Sequence, residues 1–173
     1  MKRSYSIILL LILIVGKVFP QNKQDATPWF FIQLTDPQFG MFENNAGFEK
    51  ETDLYEKAVT EINSLNPDFV VITGDFVHNQ NSVAQINEFK RITAKIKPSI
   101  RVYYSPGNHD IGQVSEKGSL KKYKTNYGSD RFSFEHKGSS FIGFNTGLIK
   151  AKLEKPEQKQ ISLAYKKTSE KQE

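Results

Sequence analysis

The 173-residue chain has no cysteine. That excludes disulfides, thiolate metal sites, cysteine nucleophiles and acylation of a lipoprotein cysteine, so the fold rests on its core alone. Histidine is scarce, with three residues and none after His136. Acids are missing from residues 1–20, where Lys2 and Arg3 precede the apolar run 7–15, followed by Gly16 and a polar stretch from Gln21. The run is well short of the ~20 residues of a spanning helix, and its flanks are those of a secretory signal peptide. The expectation is a signal over 1–20, a polar lead-in over 21–28 and one domain over 29–173. The mature protein would be secreted or periplasmic, with no stable membrane span. Losing Lys2, Arg3 and Lys17 lowers the net charge from +5 to +2. The remaining basic stretches, 117–124 and 150–171, lack the stacked aromatics of a nucleic-acid platform, and no nucleic-acid binding is expected.

With 38% hydrophobic and 25% charged residues the composition is that of an ordinary globular domain. Residues 29–34 are aromatic and branched and stop at Thr35-Asp36-Pro37, which predicts a buried strand. Leu54, Ala58, Ile62 and Leu65 then recur at helical spacing, with Asp53 and Glu56 as a capping box and Asn66-Pro67 as the stop. A second strand over 69–73 ends at Gly74-Asp75. Ser82 and Gln85 form another capping box ahead of the stripe Ile86, Phe89, Ile92, Ile96, and a third strand covers 100–105. Two successive crossovers build a parallel sheet, so the fold class is α/β. After Asp110 the chain reads as a polar surface loop over 112–129, a hairpin over 132–135 and 140–144, and a polar helix from Pro156 to about Lys171.

The chemistry lies at the strand exits. In an open α/β sheet, ligands bind beyond the carboxyl ends of the strands. The first exit carries Asp36 and Gln38, the second Asp75 and His78, the third Asn108, His109 and Asp110. A lone Asp after a strand is an ordinary turn residue. Three exits ending in donors, two with glycine beside the donor, bring distant carboxylates to one edge, where a divalent cation would relieve their repulsion.

Three blocks, Asp36-Pro37-Gln38, Gly74-Asp75-Phe76-Val77-His78 and Gly107-Asn108-His109-Asp110, resemble the motifs of the calcineurin-like metallophosphoesterases, Asp-x-His, Gly-Asp-x-x-Asp and Gly-Asn-His-Asp/Glu. The likeness covers roughly residues 29–145. The variant Asp36-Pro37-Gln38-Phe39-Gly40 with His78 looks like the subgroup of animal calcineurin-like phosphoesterase domain-containing proteins, some of which act on phosphoproteins. The resemblance implies a β-sandwich flanked by helices, here incomplete: a parallel βαβαβ core and then a hairpin. It implies two divalent ions, manganese, iron, zinc or magnesium. Asp36 and Gln38 would bind the first, Asp75 would bridge, and Asn108 would bind the second. His109 would face the leaving-group oxygen, with Asp110 or another acceptor orienting its ring, and Asn108, His109 and His78 would meet the substrate, a phosphorylated small molecule or phosphoprotein. Water would attack phosphomonoesters or phosphodiesters without a covalent intermediate.

Gln38 stands where the family has histidine, which tilts that site toward harder ions. His78 stands where the family has aspartate and reads either as a residue facing the site or as a solvated loop histidine. His136 reads as a surface residue at a hairpin turn. The later histidine and the Gly-His-x-His block are absent, so the chain reads as the N-terminal part of a longer enzyme, and an inactive or truncated binding module is the alternative function. A haloacid dehalogenase-type phosphatase would need a second Asp where Gln38 stands.

Overall fold

The computed structural model describes residues 27–150. The expected signal segment and the helix from Pro156 lie outside the described residues. Strand β1 (Phe31–Thr35), helix α1 (Glu49–Leu65), β2 (Phe69–Gly74), helix α2 (Val83–Thr93) and β3 (Arg101–Pro106) follow in turn. They form a parallel sheet of order β1-β2-β3 with Phe31 opposite Phe69 and Phe69 opposite Arg101. The α/β class and the βαβαβ core expected from the sequence are therefore present. Among the described residues no helix is long and apolar enough to cross a membrane.

Same-handed crossovers put both helices on one face of the sheet. They touch through Tyr55 and Phe89, whose rings stack at 5.6 Å, and through Tyr55 Oη and Thr93 Oγ1 at 2.9 Å. Thr93 gives its single proton to the Phe89 carbonyl (2.7 Å), so Tyr55 is the donor in that pair. Ile32, Leu34, Val70, Ile72, Val102 and Tyr104 supply the sheet side of this core, the alternate residues of each strand as the pleat requires.

The α1 face differs from expectation. The helix starts at Glu49, four residues before the anticipated cap, and buries Tyr55, Val59 and Ile62, while Leu54 and Leu65 are 51% and 57% exposed. Both stripes have helical spacing, and the one carrying the tyrosine ring removes more apolar area from water. The stop is as read: Asn66 is left-handed (φ 53°) and its N–H bonds the Ile62 carbonyl at 2.9 Å.

The opposite face is covered by the hairpin β4 (Phe132–His136) and β5 (Ser139–Gly143), closed by Lys137 and Gly138 at φ 42° and 82°, as in a type I′ turn. Phe134 stacks on Tyr103 at 3.9 Å, and Phe141 meets Phe69 edge-on at 4.9 Å. His136 is no free surface residue: its Nε2 lies 2.8 Å from Asp68 Oδ1 and its ring packs against Trp29 and Phe69. The hairpin lies across the sheet, so the turn lands on the start of β2.

Between β3 and the hairpin stand the single turn α3 (Asn108–Ile111) and helix α4 (Lys117–Tyr127), where a loop was expected. Leu120 and Tyr123 are its buried residues, and Tyr127 joins them against Phe76. A further turn, α5 (Gly147–Lys150), closes the described chain.

Candidate metal centre and phosphoester site

The strand exits do not diverge into loops. Beyond the sheet, residues 36–39 and 75–78 run side by side: Gln38 N–H bonds the Asp75 carbonyl (3.0 Å), Phe39 N–H the Phe76 carbonyl (3.1 Å) and His78 N–H the Phe39 carbonyl (2.9 Å). Gln38 and Asp75 are each followed by a buried ring. Phe39 and Phe76 are fully buried, Phe76 flat on Phe89 at 4.8 Å and Phe39 edge-on to it at 6.3 Å. These rings anchor the loops in the helix-side core and fix where Asp36, Gln38 and Asp75 stand.

Asp36 and Gln38 adopt left-handed backbones at φ 52° and 34°. Non-glycine residues there cost of order 1–3 kcal/mol each and cluster at functional sites. At the second and third exits the backbones nearly touch: a Cβ on Gly107 would collide with Asp75 Oδ1 and with the Gly74 backbone, and one on Gly74 with the Asp36 carboxylate. Glycine is required at both positions by this close approach.

Asp36 Oδ1 accepts the Asp75 N–H (3.1 Å), and Asp36 Oδ2 lies against Thr35 Oγ1. Asp75 Oδ1 accepts the His109 N–H at 2.7 Å. Burial raises the Asp75 carboxyl above its ordinary range, His109 pulls against that, and the charge on Asp36 adds to the rise. The Asn108 side chain is exposed. Asp36, Gln38, Asp75 and Asn108 thus offer oxygen donors at three adjoining exits, a set that suits hard divalent cations, and the strained Asp36–Asp75 pair is one that a cation would relieve. Among the described residues no three His, Cys, Asp or Glu side chains cluster closely enough to hold an ion by themselves, so an ion held here would need the amides of Gln38 and Asn108 as well.

His109 and His78 lie ring on ring, 4.6 Å apart. Gln38 Nε2 is 3.4 Å from His78 Nδ1, so His78 stands beside both Gln38 and His109. His109 Nδ1 lies 2.7 Å from the His78 carbonyl, which must accept, so Nδ1 carries the proton. The acceptor behind His109 is therefore this carbonyl, and Asp110 bonds elsewhere: its carboxylate takes the N–H groups of Phe76 (3.0 Å), Val77 (3.4 Å) and Gly107 (3.0 Å). Burial pushes Asp110 up to about 8, against the pull of the Gly107 and Phe76 N–H bonds. Its observed work is to clamp the third exit onto the second.

A cavity of about 420 Å³ opens beside Asn108, lined by Gly112 and Gln113 on one side and Asn145, Thr146 and Gly147 on the other. Only the first residues of the expected 112–129 wall reach it. The loop after β5 was not legible in the sequence, because nothing local marks Asn145 as neighbour to Asn108, nearly forty positions earlier.

Comparison with known proteins agrees with this geometry. The family model described as calcineurin-like phosphoesterase matches residues 31–168. The serine/threonine-protein phosphatase CPPED1 of Bos taurus is 33% identical over 137 residues, 70% of this chain and 44% of the relative. The Homo sapiens protein of that name is 31% identical over 159 residues, 82% of this chain and 51% of the relative. The DNA double-strand break repair protein Mre11 of Methanococcus maripaludis is 33% identical over 93 residues, 51% of this chain and 25% of that protein. The chain spans about half the length of the CPPED1 relatives it matches. With three donor-bearing strand exits on a parallel sheet and a family match over most of its length, the chain belongs to the calcineurin-like phosphoesterase family.

Proposed function

We propose that the chain carries the site of a metal-dependent phosphoesterase that hydrolyses phosphomonoesters or phosphodiesters by attack of water. The observation that carries this reading is the convergence of Asp36, Asp75 and Asn108 at adjoining exits, with the His109 N–H bonded to Asp75 at 2.7 Å. Asp36 and Gln38 would hold one divalent ion, Asp75 would be shared, and Asn108 would serve the second. When bound, such ions supply positive charge for the phosphoryl oxygens and acidity for the attacking water. His109 does its part from a fixed ring. With Nδ1–H committed to the His78 carbonyl, Nε2 is the free nitrogen, and in the imidazolium form it donates a proton to the leaving-group oxygen. Asp110 holds the turn on which Asn108 and His109 sit. The name of the CPPED1 relatives, serine/threonine-protein phosphatase, supports a phosphorylated protein as one substrate class beside small phosphoesters, and the leader pattern of residues 1–20 supports an extracytoplasmic setting.

The test is hydrolysis of p-nitrophenyl phosphate by the purified chain with manganese, iron, zinc or magnesium, beside calorimetric titration of manganese. Activity that Asp75→Ala reduces more than about hundredfold, with manganese affinity lost and the circular dichroism unchanged, supports the reading. Manganese binding without hydrolysis would favour an inactive binding module, and neither binding nor hydrolysis would sink both.

A further inference from the structure

We propose that Gln85, on the first turn of α2, is a positioning residue of this site that fixes the ring and tautomer of His109 through a single peptide unit. The catalytic part of this inference rests on the function proposed above.

Gln85 is buried (2% exposed). Its Oε1 accepts the Asn79 N–H at 3.0 Å and its Nε2 donates to Asn45 Oδ1 at 2.9 Å. The partners settle which end of the amide is which, since Asn79 N–H can only donate. Gly40 packs directly on this side chain, where a Cβ would overlap it. One glutamine therefore spans the segment following Gln38 and the segment following His78.

The Asn79 N–H belongs to the same peptide unit as the His78 carbonyl, which accepts His109 Nδ1–H at 2.7 Å. A peptide unit is planar and rigid. Holding its N–H on Gln85 aims its C=O, and donation at one end of an amide strengthens acceptance at the other. The chain of bonds runs from His109 Nδ1–H to the His78 carbonyl, across the peptide, and from Asn79 N–H to Gln85 Oε1. The His78 N–H, bonded to the Phe39 carbonyl at 2.9 Å, holds the residue from its other side. A carbonyl cannot donate, so this arrangement selects the Nδ1–H tautomer and leaves Nε2 as the nitrogen open to a substrate.

Helix capping does not account for Gln85. Its backbone N–H bonds Ser82 Oγ at 3.4 Å, half of a capping box. Its side chain does not return to the Ser82 N–H, which bonds the Asn79 carbonyl at 2.9 Å instead.

The experiment compares the wild type with Gln85→Leu and Gln85→Glu, using 15N-histidine NMR on the metal-free full chain to read tautomers, and kcat and KM for p-nitrophenyl phosphate with manganese. Gln85→Leu should move His109 from the Nδ1–H form toward a mixture and lower kcat about ten- to a hundredfold with KM little changed. Gln85→Glu keeps the acceptor for Asn79 N–H, and Asn45 can turn its amide to donate, so both readouts should return toward wild type. His109 shifts and kcat in Gln85→Leu that match wild type would overturn the proposal, as would a Gln85→Glu protein as damaged as Gln85→Leu. Should Gln85→Leu fail to fold, Asn45→Ala frees the glutamine from the surface side. A smaller tautomer change in the same direction supports the proposal, and no change opposes it. A wild type without hydrolysis would fail the proposed function, while the tautomer readout still decides the role of Gln85.

Discussion

The two faces of the sheet are filled by different means. On the helix face Val70, Ile72, Phe76, Phe89 and Ile92 are almost wholly buried, and the helices that cover them come from between the strands themselves. On the hairpin face the cover begins only at Phe132, 26 residues past the end of the last sheet strand at Pro106, and it consists of rings: Phe134 on Tyr103, Phe141 on Phe31 and Phe69, His136 between Trp29 and Phe69. Phe31 stays 39% exposed there. The site is anchored to the first face, because Phe39 and Phe76 descend from its loops into the helix-side core. The hairpin rests on Phe31, Phe69 and Tyr103, in the first halves of the three strands, away from the exits. One face sets the geometry of the chemistry, and the other shields the base of the sheet.

The sharpest way to break this contrast is Phe89→Ala. The ring touches Phe39, Tyr55, Phe76, Tyr104 and Tyr127, and its loss should cost about 3–5 kcal/mol in a denaturant titration and weaken manganese binding as the loop anchors loosen. Phe134→Ala should cost less, about 1–2 kcal/mol, for a partly buried ring. Its lost hydrogen-exchange protection should be confined to 132–143, with the site unaffected. Equal effects of the two substitutions on manganese binding would show that the faces are not separable.

The smallest effect concerns the clamp at the hairpin turn. Desolvation raises the Asp68 carboxyl, but the bond from His136, the Phe30 N–H and Lys137 outweigh it and hold the group below its ordinary 3.8. A depressed carboxylate stabilises the fold above its unfolded pKa, and that contribution fades as pH falls through the folded value. Acid titration of thermal stability should therefore show a small loss below pH about 4, absent in Asp68→Asn. A loss of the same size in the variant would remove the clamp from the account.

The parts legible in the sequence were those that depend on neighbours in the chain. The strands are apolar runs closed by Asp-Pro, Gly-Asp and Pro-Gly, and the exits followed from them within a residue. Helix α4 was not legible, because Leu120, Tyr123 and Tyr127 are sparse among lysines and Gly118 falls in its first turn, where it meets no neighbour. The face of α1 was ambiguous in itself, two stripes of helical spacing that share Ile62 and lie one residue apart over the preceding two turns. In the site, the donors could be found and their contacts could not. Asp110 and His109 are adjacent in sequence and both bond the 75–78 segment, yet through different groups, so that Asp110 takes backbone N–H groups and the His78 carbonyl takes the His109 ring, and Gln85 carried a local cap signal that concealed a long-range role. His136 was misjudged because a turn position says nothing about what the turn lands on.

Gly107 has a consequence for how the site tolerates change. With no methyl group there, Asp75 Oδ1 occupies space that any other residue at 107 would fill, and the same oxygen accepts the His109 N–H. The rotamer of the Asp75 carboxylate is thus chosen by a missing atom, and there is no clearance to adjust it. A cluster built to such tolerance is set in place by its own backbone. It can be retuned by exchanging donors, as Gln38 in place of histidine illustrates, far more readily than by shifting them.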